Sequence, residues 1–510
     1  MEEMEKIGIV GAGAMGRGIA QIAAQAGITV RLFDLNQQAV ADARASLQSV
    51  WEKLVAKGKM TAENAAASLE RVVPTDSLEQ MADVELIVEA VVERLDVKVD
   101  LFGKLEAIVA EDCILASNTS SLSITAIAAG CRKPERVVGY HFFNPVPLMK
   151  VVEVIDGARS DRRYGDALMA LSRRMGHTPV RAKDMPGFIV NHGGRGMNIE
   201  GLKAAQECVA DFPTIDAIMR EQAGFRMGPF ELMDLTGLDV SHPVMESIYH
   251  QFYDEPRFRP SPITALRFAG KILGRKTGEG FYRYENGQKV VAEEVQAPSR
   301  PAGLSVWIAP YHSTGHRRAA ALLRELGVEP VTSEQPPRDA LILVTPYGED
   351  VATVVAEYQL DGARTVGLDT FFGFEQGKRR VIMCSAATAP QWRDAAHGLL
   401  ATDGAKVSVI DDSAGFVGQR IVASIINVAC DIAQQGIATP EDIDLAISLG
   451  LGYPGGGPLS LGDSLGAAHV LDVLRGMQRT TGDMRYRPSL WLQRRVQLGL
   501  SLRAVPATEA

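Results

Sequence analysis

Two side chains of this 510-residue chain have the types and spacing for proton transfer. His141 stands near the end of the run Val137-Val138-Gly139-Tyr140-His141-Phe142-Phe143-Asn144-Pro145, and Glu153 follows inside the alternating run Met149 to Ile155. A carboxylate within such a β run is costly unless it has a partner, and two adjacent strands place it beside His141. An imidazole paired in this way is held in one tautomer. That arrangement takes a proton from an alcohol while hydride leaves the same carbon. A structural histidine fits the same spacing. Two polar groups flank the pair. One is Ser117-Asn118-Thr119-Ser120-Ser121, which follows the apolar run Cys113–Ala116; Ser120 or Ser121 there also suits a helix N-cap. The other is Asn191, which ends Asp184-Met185-Pro186-Gly187-Phe188-Ile189-Val190-Asn191. It suits a cap, an interdomain hydrogen bond or a donor to a substrate carbonyl.

Something must hold a hydride acceptor beside them. Gly11-Ala12-Gly13-Ala14-Met15-Gly16 is a G-x-G-x-x-G. The apolar run Ile7–Val10 precedes it and a helical stretch Ile19–Ala26 follows. A second strand, 28–33, then ends in Asp34, 18 residues after Gly16. Strand, loop, helix, strand and acid in this order define a dinucleotide site. Gly11 permits the tight turn, Gly13 lets backbone approach a pyrophosphate, and Gly16 lets helix and strand pack. Ala14 and Met15 open a helix whose N-terminus presents bare N–H groups. Asp34 suits the adenine-ribose hydroxyls and would repel a 2′-phosphate, so NAD is expected over NADP. Arg31 lies on the other face of its strand.

Alternation continues with a helix over about 36–57, a strand at 84–92, a helix near 97–110, a strand at 113–116 and a helix over about 122–129. The polar group 117–121 thus falls at a strand's C-terminal end, the edge where open parallel sheets bind ligands. Together these elements predict an α/β domain of parallel strands and helices.

Composition agrees with an enzyme of this class. Hydrophobic residues are 46%, charged residues 23%, and the net charge is −9. That argues against a disordered chain and against a chain built to coat nucleic acid. The five cysteines form no C-x-x-C pair, which points to reduced thiols in the cytoplasm. The acidic start Met1–Lys6 is unlike a signal peptide, and no apolar run approaches the ~18 residues of a membrane span. His312 and His316 are four apart, but Gly315 and the lack of a nearby carboxylate favour a loop over a metal site.

The phrases SNTSSL (117–122), GYHFFNPVPLMKVVEV (139–154), PGFIVN (186–191) and GRKTGEGFYRY (274–284) resemble the 3-hydroxyacyl-CoA dehydrogenase family, in the same order, over about residues 6–285. The resemblance implies a Rossmann NAD-binding domain followed by an all-α domain. It implies His141 as general base, Glu153 as its partner, and Ser120 and Asn191 as hydrogen-bond partners of the substrate. Glu93, Lys98, Ser120, Asn144 and Lys276 sit where the family contacts NAD; Ser46 and Lys53 match its coenzyme A contacts. One departure is His192-Gly193-Gly194-Arg195-Gly196 after Asn191. Three glycines weaken a helix by roughly 1 kcal/mol each, and a loosened first turn would give an acyl group room. With the chain's length, this resembles the subset of the family that oxidises 3-hydroxyadipyl-CoA in phenylacetate degradation. Rival readings are a 3-hydroxybutyryl-CoA dehydrogenase, a dehydrogenase of free 3-hydroxy acids, and a non-catalytic NAD-binding protein.

Beyond a polar linker around 286–303, the second half reads as a worn copy of the first. Val366–Phe372 echoes Val138–Phe143 with one extra residue, and Ser413–Val417 echoes Met185–Ile189. Gly457-Pro458-Leu459 echoes Gly228-Pro229-Phe230. The offset is 228 or 229, as 415 − 187 and 457 − 228 show. Thr370 is expected in place of His141, Ile382 opposite Glu153 and Gln419 opposite Asn191, and the stretch from Leu304 is not followed by G-x-G-x-x-G. Four segments follow: an NAD-binding domain at 1–185, a helical domain at 186–290, a degenerate Rossmann-like domain at 300–410 and a second helical domain at 411–510. Only the first half is equipped for chemistry. The helical copies are expected to pack on each other, giving a monomer with an internal pseudo-dimer or a homodimer.

Overall fold

A computed structural model describes residues 4–291 and 293–505; Met1–Glu3 of the acidic start and the end of the fourth segment lie outside them. Two compact units emerge. One is the chain up to His192 together with Gln435–Leu451; the other is Gly193–Gln434 with the chain from Gly452.

The first unit is built on eight strands: β1 (Lys6–Val10), β2 (Thr29–Phe33), β3 (Val72–Pro74), β4 (Leu86–Glu89), β5 (Ile114–Ser117), β6 (Val137–Phe142), β7 (Val151–Asp156) and β8 (Thr178–Lys183). Their order is β3-β2-β1-β4-β5-β6-β7-β8, and every pairing is parallel except β6 with β7. Strands β4, β5 and β6 are buried throughout, and β7 over all but its last residue. This explains their continuous apolar runs. The direction of winding reverses between β1 and β4, and the C-terminal ends there form the crevice in which such sheets bind ligands.

Several local expectations shift. The strand expected over 84–92 narrows to Leu86–Glu89, because the Val91 N–H turns back to the Glu89 carboxylate at 2.7 Å. The helix after β5 starts at Ile124 and is capped by Ser123, not by Ser120 or Ser121, and Asp184 fixes that cap through the Ser123 hydroxyl and the Thr125 N–H, both at 2.7 Å. Ser120 is thereby left out of the helix. The helix Ala62–Arg71 and strand β3 were not foreseen. The helix Pro440–Leu451 completes this unit, packing on β7 and β8.

The second unit starts with helices Arg195–Gln206, Phe212–Glu221, Pro229–Thr236, Leu238–Gln251 and Pro262–Ala269. A hairpin of β9 (Tyr284–Glu285) and β10 (Gln288–Lys289) closes that group. A five-stranded sheet follows in the order β11 (Val306–Ile308), β12 (Leu341–Val344), β13 (Thr365–Leu368), β14 (Arg380–Cys384), β15 (Val407–Asp411). Its one antiparallel pairing is β13 with β14, so it reproduces β4 to β8. No counterpart of β1 to β3 occurs among the described residues. This is why no G-x-G-x-x-G follows Leu304: the run there corresponds to β4, not β1.

The ladders also correct the alignment of the copies. Ser117 pairs with Gly139 and Gly139 with Ile155; Val344 pairs with Gly367 and Gly367 with Met383. Counting from those pairs, Asp369 stands where His141 does and Val381 where Glu153 does, one residue away from Thr370 and Ile382. Nor are His312 and His316 in a loop: His312 caps the helix Ser313–Glu325, accepting from the Gly315 N–H at 3.1 Å.

Within this unit the helix Val417–Gln434 of the second copy lies against Arg195–Gln206 of the first. A Cβ on Gly196 would fall 2.7 Å from the Ile425 Cα. The helix after Asn191 does break at Gly194, between the short helix Val190–Gly193 and Arg195–Gln206. Gly194 keeps helical angles (φ −64°, ψ −17°), and Gly196 lets two backbones touch.

Candidate active site

Strands β6 and β7 set His141 directly across from Glu153. The imidazole Nδ1 lies 2.6 Å from Glu153 Oε2, and both side chains are buried. The other carboxylate oxygen, Oε1, accepts from the Ile189 and Val190 N–H groups, each at 2.9 Å. Those donors are aimed by a turn in which Gly187 and Phe188 both take left-handed backbone angles (φ 75° and 49°), a conformation that costs a non-glycine residue roughly 1–2 kcal/mol. With both oxygens engaged as acceptors, the bond to His141 assigns a proton to Nδ1 and leaves Nε2 with a lone pair able to accept one. Phe143 and Phe188 flank the ring, with centroids 4.4 and 5.9 Å away.

The loop after β5 closes on this pair. Asn191 donates through Nδ2 to the Ser120 carbonyl at 3.3 Å, and Asn118 Oδ1 accepts from the Phe142 N–H at 2.8 Å. Glu93 organises the loop. Its Oε1 takes the Thr119 hydroxyl at 2.6 Å, the Ser120 N–H at 3.0 Å and the Ser121 hydroxyl at 2.9 Å, while Oε2 lies 3.3 Å from Lys98 Nζ. Burial would raise the Glu93 carboxyl, but these donors and the Lys98 ammonium outweigh it and hold it below the ordinary carboxylate range. Lys98 is itself buried and also meets Glu89 at 2.6 Å; the second Glu89 oxygen takes the Ser117 hydroxyl at 2.6 Å. Glu89 was missed in the sequence. The signal was a carboxylate closing an apolar run, the same signal that singled out Glu153.

The glycine-rich turn fits a dinucleotide. A Cβ on Gly11 would lie 2.4 Å from the Ala90 carbonyl oxygen, and one on Gly16 1.8 Å from that of Gly11. A Cβ on Gly13 would meet nothing within 4 Å, so the middle glycine faces open space at the N-terminus of the helix Ala14–Gln25, which includes Met15. Asp34 ends β2 half-buried and takes the Ala12 N–H at 2.8 Å and the Asn36 N–H at 2.9 Å. Arg31 turns away to Asp83 at 2.8 Å.

Ser46 and Lys53 are seven residues apart on one face of the helix Gln37–Ala56, Ser46 half-buried and Lys53 exposed. Asn144 is exposed in the turn after β6. Lys276 belongs to the second unit, where it pairs with Asp239. No cluster of three metal-ligating side chains occurs among the described residues.

A dinucleotide turn at a topological switch point, with a buried histidine–carboxylate pair on neighbouring strands, defines an NAD-dependent alcohol dehydrogenase in the broad chemical sense. Comparison with known proteins is more specific. The family model described as the 3-hydroxyacyl-CoA dehydrogenase NAD binding domain matches residues 6–185. The model of that family's C-terminal domain matches twice, at 187–284 and 415–506. The chain is 35% identical to 3-hydroxyadipyl-CoA dehydrogenase of Escherichia coli over 98% of both chains. It is 40% identical to a probable 3-hydroxybutyryl-CoA dehydrogenase of Deinococcus radiodurans, covering 55% of this chain and all of that one. A solved structure described as 3-hydroxybutyryl-CoA dehydrogenase from E. coli aligns with a TM-score of 0.86 at 35% identity, over 97% of this chain and 98% of that one. The chain belongs to the 3-hydroxyacyl-CoA dehydrogenase family; it is an NAD-dependent oxidoreductase with a second, partial copy of the family's two domains.

Proposed function

We propose that the chain oxidises (S)-3-hydroxyacyl-CoA to 3-oxoacyl-CoA with His141 as general base. The observation that carries this is the 2.6 Å bond between His141 Nδ1 and Glu153, which leaves Nε2 to take the proton of the 3-hydroxyl. NAD, when bound, supplies the hydride acceptor. Glu153 orients the imidazole and stabilises the imidazolium that forms. Ser120 and Asn191, already joined at 3.3 Å, hydrogen-bond the 3-hydroxyl and thioester region. Gly11, Gly13, Ala14, Met15, Gly16 and Asp34 hold the adenine half of NAD. Glu93, Lys98, Asn144 and Lys276 are assigned to its remainder, and Ser46 and Lys53 to coenzyme A.

The full-length relative named for 3-hydroxyadipyl-CoA makes that thioester the first substrate to test. We read 1–185 as the NAD domain, 186–290 and 411–510 as the helical domains and 300–410 as the degenerate sheet. The match of one helical-domain model to two segments supports this division. The helix Val417–Gln434 covering Arg195–Gln206 favours a monomer with an internal pseudo-dimer. The −9 charge and the absence, among the described residues, of a helix able to cross a membrane favour a cytoplasmic enzyme without nucleic-acid partners.

The test is NADH formation from C4, C6-dicarboxyl and C16 3-hydroxyacyl-CoA thioesters, wild type against His141→Ala. The expected outcome is fastest turnover of the C6-dicarboxyl thioester and a loss of about 10²–10⁴-fold in the variant. Comparable rates in the two proteins would end the assignment of His141.

A further inference from the structure

We propose that Gly450, brought into the catalytic unit by the degenerate half, is a positioning residue for the Glu153–His141 pair. This rests on the roles proposed above for those two residues. The segment Gln435–Leu451 shares a compact unit with β7 and β8, although the chain on either side of it belongs to the other unit. The Lys183 N–H at the end of β8 donates to the Ile437 carbonyl at 2.8 Å. Close to the end of the helix Pro440–Leu451, Gly450 comes up against Val190. A Cβ there would stand 3.0 and 3.1 Å from the two Val190 methyls and 3.6 Å from Cγ1 of Val151 on β7.

Val190 is one of the two residues whose N–H fixes Glu153 Oε1. Val190 opens the short helix Val190–Gly193, and a valine in helical geometry has one strongly preferred rotamer, so pressure on its methyls passes to its backbone instead of being absorbed by rotation. From there it passes through the N–H to Glu153, and through Oε2 to His141 Nδ1. The bare Cα of Gly450 is what leaves this line undisturbed.

The degenerate copy contains the same meeting with the sizes exchanged. At the repeat offset (450 − 222 and 418 − 190 are both 228), Gln222 corresponds to Gly450 and Gly418 to Val190. A Cβ on Gly418 would meet Phe372 Cε2 at 2.7 Å and Gln222 Oε1 at 2.9 Å. Both meetings are tight, and in each a glycine faces a larger side chain. In the first unit that side chain belongs to Val190, beside Glu153.

Gly450→Ala and Gly450→Val in the full-length protein test the proposal, with Val190→Ala as a relieving partner. Alanine favours a helix more than glycine does, so Gly450→Ala does not weaken the helix itself. The readouts are the single-turnover rate of NADH formation at saturating substrate, and the dissociation constant of NAD. A shift of a few tenths of an ångström at the dyad should slow the step about threefold for alanine and about tenfold for valine, within the ~10²-fold that a 1 Å misplacement costs. NAD affinity should stay within about twofold. Adding Val190→Ala to Gly450→Val should restore the rate to about that of Val190→Ala alone. Folded Gly450→Val at the wild-type rate, or a slowed Gly450→Val that Val190→Ala fails to rescue, would overturn the proposal. If Gly450→Val does not fold, a wild-type rate in Gly450→Ala does so. An active His141→Ala would instead overturn the dyad reading itself, which keeps the two failures apart.

Discussion

Arg420 offers the sharpest test of how the second copy stabilises the first. Its side chain is 1% exposed, on the second-copy helix Val417–Gln434. Its guanidinium reaches Glu200 and Glu207 of the first copy, both at 2.8 Å. It also donates to the Ser413 hydroxyl at 2.7 Å, and meets the Tyr486 hydroxyl at 3.1 Å. Burial would lower the Arg420 pKa, but Glu200, Tyr486 and Glu207 outweigh it and hold the group charged above its ordinary range. Arg420→Met keeps most of the apolar stem and removes every donor. Glu200, 3% exposed, would then keep only the Tyr486 hydroxyl, at 3.1 Å. Removing one partner of a buried pair costs about 3–5 kcal/mol. Glu207 adds little, because it is 35% exposed and water screens its charge. The second unit has about 300 residues, for which ~2.1 cal/mol/K of unfolding entropy per residue gives ~1.6 °C per kcal/mol, so its melting transition should fall by about 5–8 °C. Arg420→Met/Glu200→Gln, with both charges gone, should recover most of that loss. Calorimetry on the full chain reads both. Arg420→Met melting within about 2 °C of wild type would refute the reasoning, as would a double variant that melts lower than the single.

Three further outcomes follow from the sites. Calorimetric titration should give one NAD per chain, since β1 to β3 have no second counterpart among the described residues. Asp34→Ala should weaken binding about 10–100-fold, because hydrogen bonds to a charged group are worth about 1.5–3 kcal/mol; two sites per chain would contradict the fold argument. Burial pushes the Asp369 carboxyl up from 3.8 to about 6, against the hydrogen bonds from Gln419, the Phe371 N–H and Gln222. Between those pH values the folded chain holds a proton that the unfolded chain has released. This group's contribution is therefore full below pH 3.8 and lost as pH rises through about 6. The slope is at most about 1.4 kcal/mol per pH unit, and urea midpoints measured against pH should flatten over that window in Asp369→Asn.

What could be read in the sequence was whatever chemistry confines to short spacings. The turn from Gly11 to Gly16 with Asp34 beyond it was legible because a dinucleotide needs all of it within one βαβ unit. Glu153 was legible because a carboxylate in an apolar strand must find a partner across the ladder, and His141 is that partner. Ser123 was not chosen as the helix cap because three serines are locally equivalent, and only Asp184, far along the chain, selects among them. Gly196 was misread for a similar reason. Its partner Ile425 is remote in sequence, so the local helix cost was visible and the packing that offsets it was not. Lys98 emerged only through family resemblance. Its buried partner Glu89 gives no local sign of that pairing, because Lys98 reaches it only once the helix after β4 has packed.

The pattern of decay in the second copy argues that covering an apolar face is not its whole role. The three strands that would hold a cofactor have no counterpart among the described residues, and Asp369 and Val381 stand where the dyad would be. Gln419 and Gln222 have locked Asp369 at 2.9 and 3.0 Å into a closed hydrogen-bonded group. What remains well packed are helices that answer to the first copy: Val417–Gln434, which presents Ile425 and Arg420 to Arg195–Gln206, and Pro440–Leu451, which belongs to the catalytic unit itself. A helix kept only to cover a surface could tolerate almost any residue at position 450. One that sets a bare Cα against Val190, the residue whose N–H meets Glu153, has its tolerance set by the chemistry.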